Sequence, residues 1–293
     1  DYQQYVIKVI KTKNPLKQLQ EVDLLKNINH SNIIQFRELI VENDILYIVM
    51  DFADGGDLQK FVNEYVRNRK FIPERKVRSI FSDVLEGLKY LHSGGIIHRD
   101  IKLQNLFFKS GETKIGDLGI ARWINSEEKE NYIQGTPIYI CPESILEGKY
   151  SYKTDIWALG VCMYQLVTLG SPFVGKTIRD LENSIIYNRP KDISKIYSEE
   201  LRSLIMSMLE KNPNNRPTAE ECINKLKTIV VEETEDQAKK VTFPNITEER
   251  RLSTTNLPTM TKHTRSRSTL TNFIINNEKI IKCESKLTIF DLK

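Results

Sequence analysis

The stretch His98-Arg99-Asp100-Ile101-Lys102-Leu103-Gln104-Asn105 constrains this chain more than any other. It gathers an acid, a lysine and an amide into six residues, Asp100 to Asn105. A long amphipathic helix pattern precedes it. Two short strand patterns follow, Leu106-Phe107-Phe108 and Thr113-Lys114-Ile115, and then Asp117-Leu118-Gly119. The residue types dictate a chemistry. Asp100 is able to accept a hydroxyl proton, Lys102 to neutralise negative charge, and Asn105 and Asp117 to offer hard oxygens to a divalent cation.

Composition narrows the setting. The 293 residues suffice for one large domain or two small ones, and 40% hydrophobic with 28% charged residues is ordinary for a globular protein. A net charge of +4 gives no reason to expect nucleic acid or a membrane as partner. Cys141, Cys162, Cys222 and Cys283 are spread out with no C-x-x-C pair, which fits reduced thiols in a cytoplasmic or nuclear setting. No run of 18 apolar residues occurs. The chain opens on Asp1 and passes straight into a strand pattern, so a natural segment upstream is expected.

Tyr5-Val6-Ile7-Lys8-Val9-Ile10 reads as a buried strand with one cation at its centre, and such a cation needs an anionic partner. Asn14-Pro15 then opens a helix ending near Asn27, with Asn as cap and Pro at its first position. Glu21 lies on it, close to the apolar stripe of Leu16, Leu19, Val22 and Leu25. A Lys8–Glu21 pair would position Lys8, against the plainer reading of two exposed charges.

Ile33 to Val41 and Ile45 to Met50 form a hairpin pattern around Glu42-Asn43-Asp44. Asp51 to Asp57 reads as a flexible acidic joint, with Asp57 placed to cap the next helix. Pro73 starts a longer helix that Gly94-Gly95 ends. After Asp155 the chain is apolar from Ile156 to Leu169, which predicts a helix buried on all sides. Further helices are expected over Ser198 to Leu209 and Thr218 to Ile229. From Val230 the periodicity fails, and the tail reads as disordered. Within it, Leu287 to Phe290 is either a short docking element or an idle apolar stub.

One motif is rejected. Gly170 to Thr177 fits G-x-x-x-x-G-K-T, but a phosphate-cradling loop follows a strand, and this one follows the long apolar helix. Pro172 also removes a backbone donor that such a nest needs.

Read together, these stretches resemble the eukaryotic protein kinases. They are similar within that superfamily to the NIMA-related serine/threonine kinases. The likeness rests on Tyr5-Val6-Ile7-Lys8, Ala53-Asp54-Gly55-Gly56-Asp57-Leu58, His98 to Asn105, Asp117 to Arg122, Gly135-Thr136-Pro137 and Asp155 to Gly160, over about residues 5–228. It implies an α+β, bilobal fold: a truncated β-rich N-lobe (1–50), a mainly helical C-lobe (51–229) and a polar tail (230–293).

The resemblance also assigns roles. It implies a Ser/Thr kinase using ATP and Mg²⁺ on protein substrates, in the cytoplasm, with the cytoskeleton or cilium as a place where relatives act. Lys8 would touch the α- and β-phosphates and pair with Glu21. Met50 would be the gatekeeper, and the Asp51 carbonyl and Ala53 amide would meet adenine between Val6 and Phe107. Asp57 would sit near the ribose. Asp100 would take the acceptor's proton, Lys102 and Thr136 suit a Ser/Thr-directed site, and Asn105 and Asp117 would hold the metal. Glu143 and Arg216 resemble a structural ion pair.

Departures from the pattern are specific. No Gly-rich loop precedes Lys8, and Leu118 stands where Phe is commoner. Glu127, Glu128, Glu130 and Tyr132 occupy the activation-loop region, where the fixed acids either partly replace a phosphate facing Arg99 and Arg122 or form a solvated charge run. Arg250 to Ser253 and Arg265 to Ser268 look like basophilic phosphorylation sites. The rival function is a catalytically silent kinase-fold scaffold. The residues leave oligomeric state open.

Overall fold

In the computed structural model, residues 3–11, 25–42, 45–118, 121–123, 136–229, 268–269, 272–276, 279–283 and 290–292 are described. The chain begins with three antiparallel strands, β1 (Gln3–Lys11), β2 (Phe36–Glu42) and β3 (Ile45–Asp51). β3 lies between the other two, pairing Lys8 with Ile48 on one side and Leu39 with the same residue on the other. β1 is apolar on both faces. Ile7 and Val9 pack with Val49, while Ile10 packs with Leu46 and Ile48. That explains its near-continuous run of Val and Ile.

The rest is mainly helical, with α1 (Leu58–Arg67), α2 (Glu74–Ser93), α3 (Pro142–Glu147), α4 (Tyr152–Thr168), α5 (Ile178–Tyr187), α6 (Glu199–Met208) and α7 (Ala219–Thr228). Local chemistry sets their ends. Asp57 accepts from the Lys60 amide at 2.8 Å, Ser151 and Thr154 form a capping box, and Thr218 and Glu221 form another. α4 starts four residues before the expected Ile156, because Ser151 is its cap; Asp155 therefore lies inside the first turn. The expectation of burial on all sides holds, with Ile156, Trp157, Leu159, Val161, Met163 and Leu166 fully inaccessible. Each such side chain contributes about 1.5–3 kcal/mol relative to exposure.

Small strands carry the functional stretch. β4 (Ile96–Ile97) pairs with β7 (Arg122–Trp123), and β5 (Leu106–Lys109) with β6 (Glu112–Ile115). The β5–β6 turn is made by Ser110 and Gly111, both at positive φ (52° and 86°), the two-residue hairpin turn whose twist suits its strands.

The tail departs from expectation. Where no regular structure is predicted, β8 (Ser268–Thr269), β9 (Asn272–Asn276), β10 (Lys279–Cys283) and β11 (Phe290–Leu292) occur. β9 and β10 form a hairpin, and β8 and β11 pair antiparallel with β1, at Val9–Ile10 and at Gln3–Tyr5. The N-terminal sheet thus has five strands and draws on both ends of the chain. Two short apolar runs, Phe273-Ile274-Ile275 and Ile280-Ile281, are too brief for a period to stand out among Asn, Lys and Glu. The apolar Leu287–Phe290 stretch ends at a paired strand.

Gly170 to Thr177 is no phosphate loop. It follows α4, whose end is marked by Leu169 at φ 56°, and Thr177 caps α5 through Asp180. A Cβ on Gly175 would lie 2.2 Å from the Leu181 amide, so the loop is pressed against its own helix. Among the described residues, no helix is long and apolar enough to cross a membrane. Cys141, Cys162 and Cys222 are buried and free, and burial pushes the Cys141 thiol up to about 11 and the Cys222 thiol to about 12.

Candidate active site

The stretch from His98 to Asn105 is hung from one buried acid. Asp155, with no exposed surface, accepts from the His98 amide at 2.9 Å and the Arg99 amide at 2.8 Å, and lies 2.9 Å from the His92 ring. Burial pushes its carboxyl up, but the bond and charge of His92, with His98, outweigh this and hold it below the ordinary carboxylate range. The segment following α2 is thereby pinned to the first turn of α4. Arg99 then adopts φ 67°, an unusual conformation for a residue with a side chain, which the two anchored amides sustain.

The His98 ring links the two acids of the site. Its Nδ1 accepts from the Asp100 amide at 3.2 Å, which leaves Nε2–H to donate to the Gly116 carbonyl at 3.1 Å. Gly116 in turn donates to the Asn105 carbonyl at 2.8 Å. Asp117, at φ 55°, leaves this junction and projects into the cleft. One buried imidazole therefore sets the backbone of Asp100 and of the residue before Asp117.

The side chains of Asp100, Lys102 and Asn105 come together. Lys102 Nζ lies 2.5 Å from Asp100 Oδ2, and Asn105 Nδ2 donates to that oxygen at 3.0 Å and to the Asp100 carbonyl at 2.8 Å. Asp100 thus has one oxygen held by two donors, and the other meets no partner among the described residues. Asn105 spends its NH₂ on Asp100, which leaves its carbonyl oxygen as the end for a cation. Lys8 Nζ sits 2.6 Å from Asp117 Oδ1. Dehydration in the cleft pushes the Asp117 carboxyl up, but Lys8 and then Lys102 and His98 outweigh it and hold the carboxyl below its ordinary range. Lys102, bonded to Asp100, also lowers the Asp117 carboxyl, so one cation acts on both acids.

Around this centre, Val6, Met50 and Phe107 are partly exposed, with Val6 directly opposite Met50 in the sheet. The joint from Asp51 to Asp57 is less loose than its sequence implies. The Gly55 amide donates to the Phe108 carbonyl at 2.9 Å and the Phe108 amide to the Gly56 carbonyl at 2.8 Å. A Cβ on Gly55 would come within 2.5 Å of Phe108 Cβ, so glycine is needed for this approach. Asp57 commits one oxygen to its cap. Asp100 and Thr136 line one crevice with Arg99, Tyr139 and Tyr150. Glu143 and Arg216 form the expected ion pair, with both oxygens engaged at 2.5 and 2.6 Å and the guanidinium stacked over Trp157.

Some expectations lie elsewhere. Glu21, Glu127, Glu128, Glu130 and Tyr132 fall outside the described residues, as does the Arg122 side chain; the described partner of Lys8 is Asp117. Sequence reasoning missed the anchoring role of Asp155 and the bridging role of His98. The signal for Asp155 was an acid next to a run apolar on every side, which a set of buried donors would satisfy. Arg37 and Lys109, both bonded to Asp51, left no signal, since no spacing rule links residues 37, 51 and 109.

Comparison with known proteins agrees with this construction. The protein kinase domain family matches residues 1–226. Serine/threonine-protein kinase Nek4 of Mus musculus is 38% identical over 74% of this chain and 28% of its own length. Nek1 of Mus musculus is 38% identical over 77% of the chain and 19% of its own length, and Nek5 of Homo sapiens 41% over 68% and 28%. The chain thus spans between 19% and 28% of the length of these three relatives. A match over residues 1–226, on a fold that brings Asp100, Asn105 and Asp117 to one cleft, means that the chain belongs to the protein kinase domain family.

Proposed function

We propose that the protein is a serine/threonine kinase that moves the γ-phosphoryl group of ATP to hydroxyls of protein substrates. One observation carries this: Asp100 has one carboxylate oxygen fixed by Lys102 and Asn105, beside a Lys8–Asp117 pair in the same cleft. A substrate hydroxyl approaching Asp100 meets an oriented acceptor. Its oxygen attacks the γ-phosphorus, the bond to the β,γ-bridging oxygen breaks, and Asp100 takes the proton. Lys102 stabilises charge on the moving group, and Thr136 borders the acceptor's crevice.

Lys8 binds the α- and β-phosphates, with Glu21 as its supporting acid. Val6 and Phe107 flank the adenine, Met50 guards the rear of the slot, and the Asp51 carbonyl and Ala53 amide meet the adenine edge. Asp57 faces the ribose with the oxygen not used in capping. The donor set suits Mg²⁺, because Asn105 and Asp117 offer hard oxygen ligands and would hold the ion together with the nucleotide's phosphates. When bound, the ion supplies neutralising charge to the nucleotide's outer phosphates.

The division at residues 50 and 229 into two lobes and a tail forms part of this reading, as does action on the cytoskeleton or cilium, which rests on family resemblance alone. The test is a γ-labelled ATP assay with Mg²⁺ on the complete gene product, using Ser, Thr and Tyr acceptor peptides. Label on Ser or Thr and not Tyr is expected. Nucleotide binding without transfer would instead establish the silent scaffold.

A further inference from the structure

An ion cluster at the start of the joint between the lobes takes no part in the reaction above. Asp51 ends β3 with only 6% of its surface exposed. Two cations from different parts of the fold meet its carboxylate. Arg37 is the extra residue of a β-bulge, since the pairing of β2 with β3 shifts between Phe36 and Glu38. A bulge kinks its strand and re-aims a side chain. Here the guanidinium turns onto Asp51, with Nε on Oδ1 and Nη2 on Oδ2 at 2.9 Å. Lys109, the last residue of β5, brings Nζ to 2.6 Å from the same Oδ2.

The backbone is held as well. The Asp51 amide donates to the Gln35 carbonyl at 3.0 Å. Just beyond, Asp54 accepts from the Ser110 amide at 3.0 Å, so the β5–β6 turn grips the joint at a second point. One residue thus connects β2, the joint and the hairpin that follows the catalytic stretch. A paired, buried carboxylate of this kind adds little net stability compared with apolar residues, but it demands one geometry. Bidentate guanidinium contact sharpens that demand.

We infer that Asp51 is a positioning residue for the nucleotide: Arg37 and Lys109 clamp its side chain from the two lobes and so fix the peptide whose carbonyl meets the adenine edge. This rests on the kinase reading. The clamp sets the rotation of the joint and the spacing between the strand-rich and helical regions. Misplacing the joint weakens nucleotide binding, while Asp100 and its partners stay intact.

The experiment compares wild type, Asp51→Asn, Asp51→Glu and Lys109→Gln in the complete gene product. It records KM for ATP, kcat, the Kd of a fluorescent ATP analogue, and Tm. Asp51→Asn is expected to raise KM and Kd roughly tenfold while kcat falls less than about threefold, the pattern of lost binding rather than lost chemistry. Asp51→Glu keeps the charge and should bind within about threefold of wild type, and Lys109→Gln should weaken binding about threefold, the scale of one partly exposed ion pair.

Unchanged nucleotide affinity in Asp51→Asn, or a lower Tm with KM intact, overturns the inference, because the clamp would then serve the fold alone. Should Asp51→Asn not fold, Lys109→Gln decides: its side chain is 26% exposed, and an unchanged Kd ends the idea. A wild-type protein that neither binds nor turns over ATP removes the kinase reading instead, a separate result from failure of the clamp.

Discussion

Two aspartates show how differently the helical region and the cleft use the same side chain. Asp155 is fully buried in the helical region, and it accepts from two backbone amides and lies against the His92 ring. Asp117 keeps 43% of its side chain exposed and meets Lys8. The first is saturated and fixes backbone. The second holds one partly exposed bond to Lys8, which under the proposed function a nucleotide's phosphates and a cation would replace. The contrast extends outward. In the helical region Glu143 and Arg216 lock two distant segments, whereas the strand-rich region covers one edge of β1 with residues from the far end of the chain.

Breaking the saturated side of this comparison should cost most. Glu143→Ala leaves the Arg216 guanidinium buried without its carboxylate, and should destabilise by roughly 3–5 kcal/mol in denaturant titration. Replacing both partners by apolar residues of similar volume should recover much of that loss. A single variant as stable as wild type would mean that the pair is not an organising contact.

Asp155→Asn comes next. The two backbone amides bond different carboxylate oxygens, and Asn turns an NH₂ donor onto one of them, so a loss of about 1–3 kcal/mol is expected. The pH dependence follows from the sign of the shift. The folded carboxyl lies below its ordinary value of 3.8, so its contribution is complete above that value and disappears as pH falls through the folded one. The stability gap between wild type and Asp155→Asn should therefore narrow below about pH 4. A gap that widens on acidification would contradict the assigned charge.

The smallest effect concerns Asp57, which both caps α1 and is proposed to face the ribose. Asn caps as well as Asp, so Asp57→Asn should change stability by less than about 0.5 kcal/mol. It should still raise KM for ATP. Asp57→Ala should lose about 1 kcal/mol as well. If Asp57→Asn leaves KM unmoved, Asp57 is a cap and nothing more.

What was legible in the sequence follows the same division. Asp100, Lys102, Asn105 and Asp117 sit on short loops next to readable strands, so their chemistry and spacing survive in the linear order. Glu143 and Arg216 lie 73 residues apart and were found only through the family resemblance. Asp155 was seen as the residue before a buried helix, but its role depends on amides brought from residues 98 and 99 by the fold. Arg37 reaches Asp51 because of a bulge, and bulges leave little trace in a strand's alternation. The tail strands were hidden because the apolar runs of β9 and β10 are short, and because β1, the partner of β8 and β11, is more than 250 residues away.

The most direct measurement is γ-labelled phosphate transfer to a Ser/Thr peptide, with Mg²⁺, by the complete gene product and its Asp100→Ala variant at matched fold stability. A fall in kcat of at least ~10²-fold, with nucleotide affinity retained, is the expected result for loss of the proton acceptor and its positioning. Equal transfer by the two proteins would mean that Asp100 does not meet the acceptor hydroxyl, and the two-acid cleft would lose its function.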